Sequence, residues 1–416
     1  MVNFQHDTQV NASRDVVWEW HAREGAFERL SPPWEHMESI SAPPDLSPGG
    51  QRIIRMKMGP LKIKWIAEHT DLIEGELFAD RMVRGPFKRW WHTHRLVEQE
   101  TNVTIVRDEV SYDLPFGFLG RLFGGRYVGK MVHRMFTSRA ISLKRDIKRH
   151  QSFSEMPRKR ILVSGASGLI GSQLIPFLDT GGHEIIQLVR RKPTNANQRF
   201  WDPAKGELDP LLFDGIDAVI HLGGVGIGDK RWTKKRKEAI VNSRKKSVTL
   251  LSETMASLEK KPEVFIVASA IGIYGDRGDE EVDENSSHGE GFLTDTATIW
   301  ESSADAAREA GIRTIHLRTG IVLSPKGGAL GRMLFPFKMG AGGPIGSGKQ
   351  WMSWISMDDH IAAVQHLMMT KNCEGMYNLT SPNPVRQKTF AKTLGRVLRR
   401  PAFAPLPGFV VRIIFY

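Results

Sequence analysis

The chain has 416 residues, too long for one ordinary hydrophobic core, so two domains are expected. Its 40% hydrophobic and 25% charged residues suit a soluble globular protein, with no run of about 18 apolar residues to span a membrane and no charged-then-apolar start of a secretory signal. The net charge of +12 divides into +4 over residues 1–150 and +8 over the rest, a diffuse excess without an arginine-rich tail, so neither nucleic acid nor a membrane surface is expected as a partner.

Residues 1–150 read as one unit. The alternating run VNFQHDTQV leads into Asn11-Ala12-Ser13, a helix N-cap region ahead of RDVVWEWH. A turn-rich SPPWEHMES segment follows, and then the alternating runs RIIRMKM, LKIKWIAEH, RWWHTHRLVE and NVTIVRDEVSYDL. Their period of two and their Gly, Pro and Asp punctuation predict an antiparallel sheet. From Val128 onward apolar residues recur at helical spacing with basic residues between them, which predicts a long amphipathic helix. Strand, short helices, antiparallel sheet and long final helix, together with AFERLSPPWE, resemble the helix-grip, START-like polyketide-cyclase (SRPBCC) superfamily. That resemblance implies a pocket for a hydrophobic ligand between sheet and helix. Residues 151–158, polar, basic and interrupted by Pro157, are expected to be a linker.

The second unit, 159–416, opens with the buried-strand run Arg160–Ser164, the glycine loop Gly165-Ala-Ser167-Gly168-Leu169-Ile170-Gly171, and the helical SQLIPFLDTGG. Gly165 permits a tight turn, Gly168 a close approach of backbone to a pyrophosphate, and Gly171 close helix–strand packing. Strand before and helix after are the setting in which such a triplet binds a dinucleotide. The next strand, GHEIIQLVRR, ends in Arg190 and Arg191, where NAD enzymes carry an acidic residue for the ribose hydroxyls. Two arginines suit a 2′-phosphate, so NADP(H) is the expected cofactor. The third unit, Asp214–Gly224, is an apolar strand ending in Leu222-Gly223-Gly224, open enough for a cofactor to pass close to the backbone. The fold class is therefore α/β, a doubly wound parallel sheet preceded by an α+β helix-grip domain.

Gly165–Gly171, HLGG, Arg231-Trp232, NSR at 242–244, SAIGIYG at 269–275 and the long run LRTGIVLSPKGGALGRMLFPFKMGAGGPIGSGKQWMSWISMDD resemble the atypical, epimerase-like branch of the extended short-chain dehydrogenases, from residue 158 to the end. The resemblance implies cofactor contacts from the glycine loop, Arg190, Arg191, Leu222, Gly223, Gly224, Glu238, Arg244 and Ile321, with a small molecule as substrate. It also implies a further carboxy-terminal segment, so the apolar end VVRIIFY suggests truncation.

The expected catalytic residues are Ser269, to hold a substrate oxygen, and Tyr274. Relatives place a Tyr-x-x-x-Lys pair on the following helix, where the lysine lowers the tyrosine pKa. Here that segment, GFLTDTATIWESSADAAREAG, has neither residue. Two readings stay open: proton chemistry by an altered route, from Tyr274 or an acidic residue such as Glu301, or a cofactor site without turnover that serves as a sensor. Glu301 reads as a capping or surface carboxylate. Gln350, Trp351 and Trp354 form the expected substrate rim, and Asp358 and Asp359 read as helix caps. The 14 histidines show no H-x-x-x-H beside an acid, so no metal is expected. The single cysteine, Cys373, excludes a disulfide framework and suits a reducing, cytoplasmic setting.

Overall fold

The computed structural model describes residues 1–35, 37–58 and 61–408, so the apolar end VVRIIFY lies outside the described residues. Two compact units change over at Pro157/Arg158, with Ile175–His183 grouping with the first.

In the first unit, β1 (Val2–Val10), α1 (Arg14–Ala22) and α2 (Ala26–Leu30) precede β2 (Met37–Ser41), β3 (Gln51–Met58), β4 (Leu61–Ile73), β5 (Leu77–Arg84), β6 (Arg89–Glu100), β7 (Val103–Asp113) and α3 (Gly117–Gln151). The strands form an antiparallel sheet in the order β1-β7-β6-β5-β4-β3-β2. Ser13 caps α1 by accepting from the Val16 amide. The alternation along β6 and β7 buries one face, and Leu96 and Val106 pack with Leu143 and Ile147 of α3. Phe136 and Val132 of α3 pack on Trp90, Val110 and Tyr112. The fork of Arg29 closes on Asp146 of α3 with Nε–Oδ2 at 2.6 Å and Nη2–Oδ1 at 2.8 Å, both side chains buried, which fixes α2 to α3.

The structure adds two strands that periodicity misses. β2 emerges from the turn-rich stretch, and β5 (LFADRMVR) carries charges in its middle that break a clean alternation. Helix α3 also begins at Gly117 rather than Val128: its first turns expose Phe118, Leu119, Leu122 and Phe123, so no buried stripe marks them in the sequence.

After Pro157 come β8 (Arg160–Ser164), α4 (Gly171–Thr180, grouped with the first unit from Ile175), β9 (Glu184–Val189), β10 (Gln198–Phe200), β11 (Ala218–His221), α5 (Lys234–Ala256), β12 (Val264–Ala270), α6 (Phe292–Ser302), α7 (Asp305–Glu309) and β13 (Arg313–Thr319). There follow β14 (Ile321–Leu323), α8 (Gly328–Lys338), β15 (Trp351–Met352), β16 (Trp354–Ser356), α9 (Met357–Met369), β17 (Gly375–Leu379), β18 (Val385–Arg386) and α10 (Gln387–Leu398). The main sheet runs β10-β9-β8-β11-β12-β13-β17 with every pair parallel, which is the doubly wound α/β arrangement. Its strands are apolar runs rather than alternating ones because both faces are covered. Leu162, Val219, Phe265 and Val267 pack with Val248, Leu251 and Met255 of α5.

Candidate functional site

In the second unit, β8 ends where β11 does, and the glycine loop spans that edge. Gly165 has φ +81°, and a Cβ there would meet the Leu222 carbonyl carbon at 2.7 Å and the Gly223 nitrogen at 2.8 Å. A Cβ on Gly171 would collide with the Gly165 oxygen, so this glycine serves the closure of the loop on itself. The Gly168 amide donates to the Gly165 carbonyl at 3.0 Å, which completes the turn. The amides of Ala166, Ser167, Leu169 and Ile170 have no backbone acceptor among the described residues and stand at the start of α4. A loop that only glycine can close, with free amides at a helix N-terminus, fits a pyrophosphate.

Arg190 and Arg191 follow the carboxyl end of β9, both exposed and without a carboxylate partner among the described residues. Ile321 begins β14, with its amide on the Ser353 carbonyl at 2.8 Å. Glu238 is exposed on α5, whereas Arg244 is buried behind Gly224 and donates to the Val225 and Ile240 carbonyls, each at 3.0 Å. Its guanidinium lies over the Trp300 ring at 4.5 Å. Beside it His221 is buried between Ser164 Oγ at 2.5 Å and Ser247 Oγ at 2.9 Å. Burial, reinforced by the Arg244 charge, lowers His221 to about 3, so it is neutral at physiological pH.

Ser269 and Tyr274 enter one buried network, absent from the sequence reading. Ser269 Oγ donates to Glu301 Oε1 at 2.6 Å, and Arg318 clamps the same carboxylate with Nε–Oε1 and Nη2–Oε2 both at 2.9 Å. Arg318 Nη1 also donates to Tyr274 Oη at 3.0 Å, and that hydroxyl donates to Asn378 Oδ1 at 2.7 Å. Glu301 is therefore an internal counter-ion on α6 rather than a surface carboxylate. Burial pushes its carboxyl up, but the hydrogen bonds from Arg318 and Ser269 outweigh it and hold the group below the ordinary range.

On the expected substrate rim, the Trp351 indole donates to Asp279 at 2.9 Å and lies under the Arg386 guanidinium at 3.9 Å. Gln350 and Trp354 donate to the carbonyls of Ile345 and Asn383 at 2.9 and 3.2 Å. The cap of α9 is Ser356, not Asp358 or Asp359. Ser356 Oγ accepts the Asp359 amide at 3.0 Å and donates to the Asp359 carboxylate at 2.8 Å, so Asp359 is the first-turn partner of the cap, three residues beyond it.

The first unit contains a partly open cavity of about 830 Å³ lined by apolar residues such as Ile54, Trp65, Trp90, Leu119 and Met135. A polar group lies on its wall: His21, His69, Asp80, His92, His94 and Arg139. Burial, with His92 adjacent, lowers His94 to about 4. Burial pushes Asp108 up, but the His94 and His92 imidazoles outweigh it and hold this carboxyl well below the usual range.

Residues 161–380 match the model of the NAD dependent epimerase/dehydratase family, and residues 10–136 that of the polyketide cyclase / dehydrase and lipid transport family. The chain is 40% identical over 255 residues to an epimerase family protein of Mycobacterium bovis, over 61% of this chain and 84% of that one. Its structure is similar to that of the nucleoside-diphosphate sugar epimerase from Corynebacterium glutamicum, with a TM-score of 0.81 and 32% identity over 99% of this chain and 86% of the other. It is also similar to human epimerase family protein SDR39U1 (isoform2) with NADPH, with a TM-score of 0.56 and 32% identity over 62% of this chain and 85% of that one.

Proposed function

The chain belongs to the NAD dependent epimerase/dehydratase family, and from that premise we propose that residues 159–416 form an NADP(H)-dependent oxidoreductase or epimerase-like enzyme acting on a small molecule. The observation that carries the reading is the glycine loop closed against Leu222 and Gly223, with two exposed arginines past the end of β9. The glycine loop would hold the pyrophosphate and Arg190 and Arg191 the 2′-phosphate, and the nicotinamide when bound supplies or accepts a hydride. Ser269 is the candidate to hold a substrate oxygen, and Tyr274 the candidate proton donor. The preference for NADP(H) also draws on the human relative, whose solved structure is with NADPH.

The family match of residues 10–136 and the 830 Å³ apolar cavity support a hydrophobic ligand in residues 1–150, with 151–158 as linker. No helix among the described residues is long and apolar enough to cross a membrane, and the single cysteine favours a cytoplasmic setting.

A second reading is favoured by one observation. Both candidate catalytic hydroxyls are engaged with Glu301, Arg318 and Asn378, and α6 contains no Tyr or Lys, which fits a cofactor-binding sensor without turnover. Calorimetric titration with NADPH and NADH, followed by NADPH oxidation against a panel of carbonyl compounds, separates the two. Tight NADPH binding with oxidation supports the enzyme; tight binding with no oxidation supports the sensor; no binding ends both.

A further inference from the structure

The geometry points to a divalent transition-metal site in the first unit, made by Asp80, His92 and His94 on the wall of the apolar cavity. The three stand together because of sheet register. His92 and His94 are two residues apart on β6 and so share a face, and both are buried. Asp80 of β5 lies directly across from His92, and Asp108 of β7 directly across from His94. One potential ligand atom from each of Asp80, His92 and His94 lies within 4.8 Å of the other two.

Asp108 is the reason to read this as a binding site rather than a polar knot. Its Oδ1 accepts from His92 Nε2 at 3.1 Å and lies 2.7 Å from His94 Nδ1 in an off-axis approach. One carboxylate thus engages one nitrogen of each ring, which leaves His92 Nδ1 and His94 Nε2 for another partner. His92 is held as metal-binding histidines are, with its second nitrogen donating to a carboxylate behind, and the same carboxylate lies against His94 Nδ1. Asp80, His92 and His94 line the cavity, whereas Asp108 is not among its lining residues.

The remaining distance agrees. His92 Nδ1 and Asp80 Oδ2 are 3.6 Å apart, too long for a hydrogen bond. Two ligands each about 2.0–2.2 Å from one cation are separated by roughly 3–3.5 Å, close to this gap. The imidazoles are also fixed in orientation. Phe78 stacks on His94 with centroids 4.2 Å apart, and Phe136 meets the His92 ring edge-on at 5.2 Å.

Two imidazoles and a carboxylate suit Zn²⁺, Fe²⁺, Co²⁺ or Mn²⁺ and leave coordination positions open toward the cavity. His21, His69 and Arg139 border the same space. With the cation bound, its two charges balance those of Asp80 and Asp108, and Arg139 adds a positive charge. An apolar molecule bearing an anionic oxygen is the ligand this arrangement would take, with that oxygen on the metal.

The test uses the full chain, stripped with a chelator and returned to metal-free buffer. Titration with Co²⁺, followed by its visible absorption, and with Zn²⁺ by calorimetry is expected to give one ion per chain. Asp80→Asn and His94→Gln should each weaken binding at least 100-fold, and Asp108→Asn about 10- to 100-fold through the imidazoles it holds. Circular dichroism and urea melts of each variant identify those that remain folded. Asp80→Asn is close to isosteric, which keeps the test available if a histidine variant unfolds. A folded chain that takes up neither ion, or binding unmoved by Asp80→Asn, overturns the site.

Discussion

Ser269 Oγ and Arg318 Nε meet on a single oxygen of Glu301, at 2.6 and 2.9 Å. The Arg318 side chain is 2% exposed and that of Glu301 11%, so the pair has little water to fall back on. Glu301→Gln leaves a buried guanidinium without its counter-charge, and we expect a loss of about 3–5 kcal/mol in urea denaturation. Ser269→Ala removes one hydrogen bond and should cost about 1 kcal/mol. The Glu301 carboxyl titrates below its ordinary value of 4.5 in the folded chain. Its contribution is therefore complete above that value and is lost as the pH falls through the folded pKa. Glu301→Gln should flatten the acid limb of the stability profile, and an unchanged limb would refute the assignment.

Tyr274→Phe separates structure from chemistry at the same network. The hydroxyl bridges Arg318 Nη1 and Asn378 Oδ1, and its loss should lower stability by about 1–3 kcal/mol because a buried donor is left unmatched. NADPH affinity should stay as in the parent chain. If Tyr274 is the proton donor, NADPH oxidation falls by a far larger factor than stability explains; if turnover is retained, the tyrosine is a positioning residue only.

The glycine loop was legible in the sequence because its closure excludes every side chain at Gly165 and Gly171, so local geometry dictates residue type at fixed spacing. The missing Tyr-x-x-x-Lys pair was legible because the motif falls within one short window of sequence, GFLTDTATIWESSADAAREAG. The Glu301–Arg318 clamp was not, since it joins α6 to β13 and no short window contains both. The Asp80, His92 and His94 group escaped for a related cause. A search at helical spacing passes over H-x-H, a signal that matters only on a strand, and Asp80 lies in β5, the strand whose internal charges hid it.

Arg190 and Arg191 give the discriminating test of cofactor choice. Both are exposed and have no carboxylate partner among the described residues, so each alanine variant should melt like the parent. A charge-assisted hydrogen bond to a 2′-phosphate contributes about 1.5–3 kcal/mol, or roughly 10- to 100-fold in affinity. NADPH binding should weaken by that factor in Arg190→Ala or Arg191→Ala while NADH binding stays level. Equal weakening of both would place the arginines elsewhere on the nucleotide.

His221 predicts a second pH dependence, of the same sign as that of Glu301. It is neutral in the folded chain down to about 3, whereas the unfolded chain protonates it near 6.5. Above 6.5 the two states bind protons alike; below it the unfolded state binds one more, and stability should fall by about 1.4 kcal/mol per pH unit until the folded value is reached. Its ring resonances should show no titration between pH 7 and 4. A midpoint near 6 would mean that the ring between Ser164 and Ser247 is more open to water than the structure places it.

Ala67 lines the cavity of the first unit, on β4, and offers a test of whether that space is open. A side chain forced into a filled core costs about 1–3 kcal/mol. Within 830 Å³ of open volume an indole can be accommodated, so Ala67→Trp should cost under about 1 kcal/mol. The same indole would occupy space needed by a bound molecule, so a fluorescent fatty acid held by the parent chain should be displaced. Retained stability with lost probe binding supports a ligand cavity. Destabilisation by several kcal/mol would mean that the walls close on themselves in solution, and unaltered probe binding would place the fatty acid at some other surface.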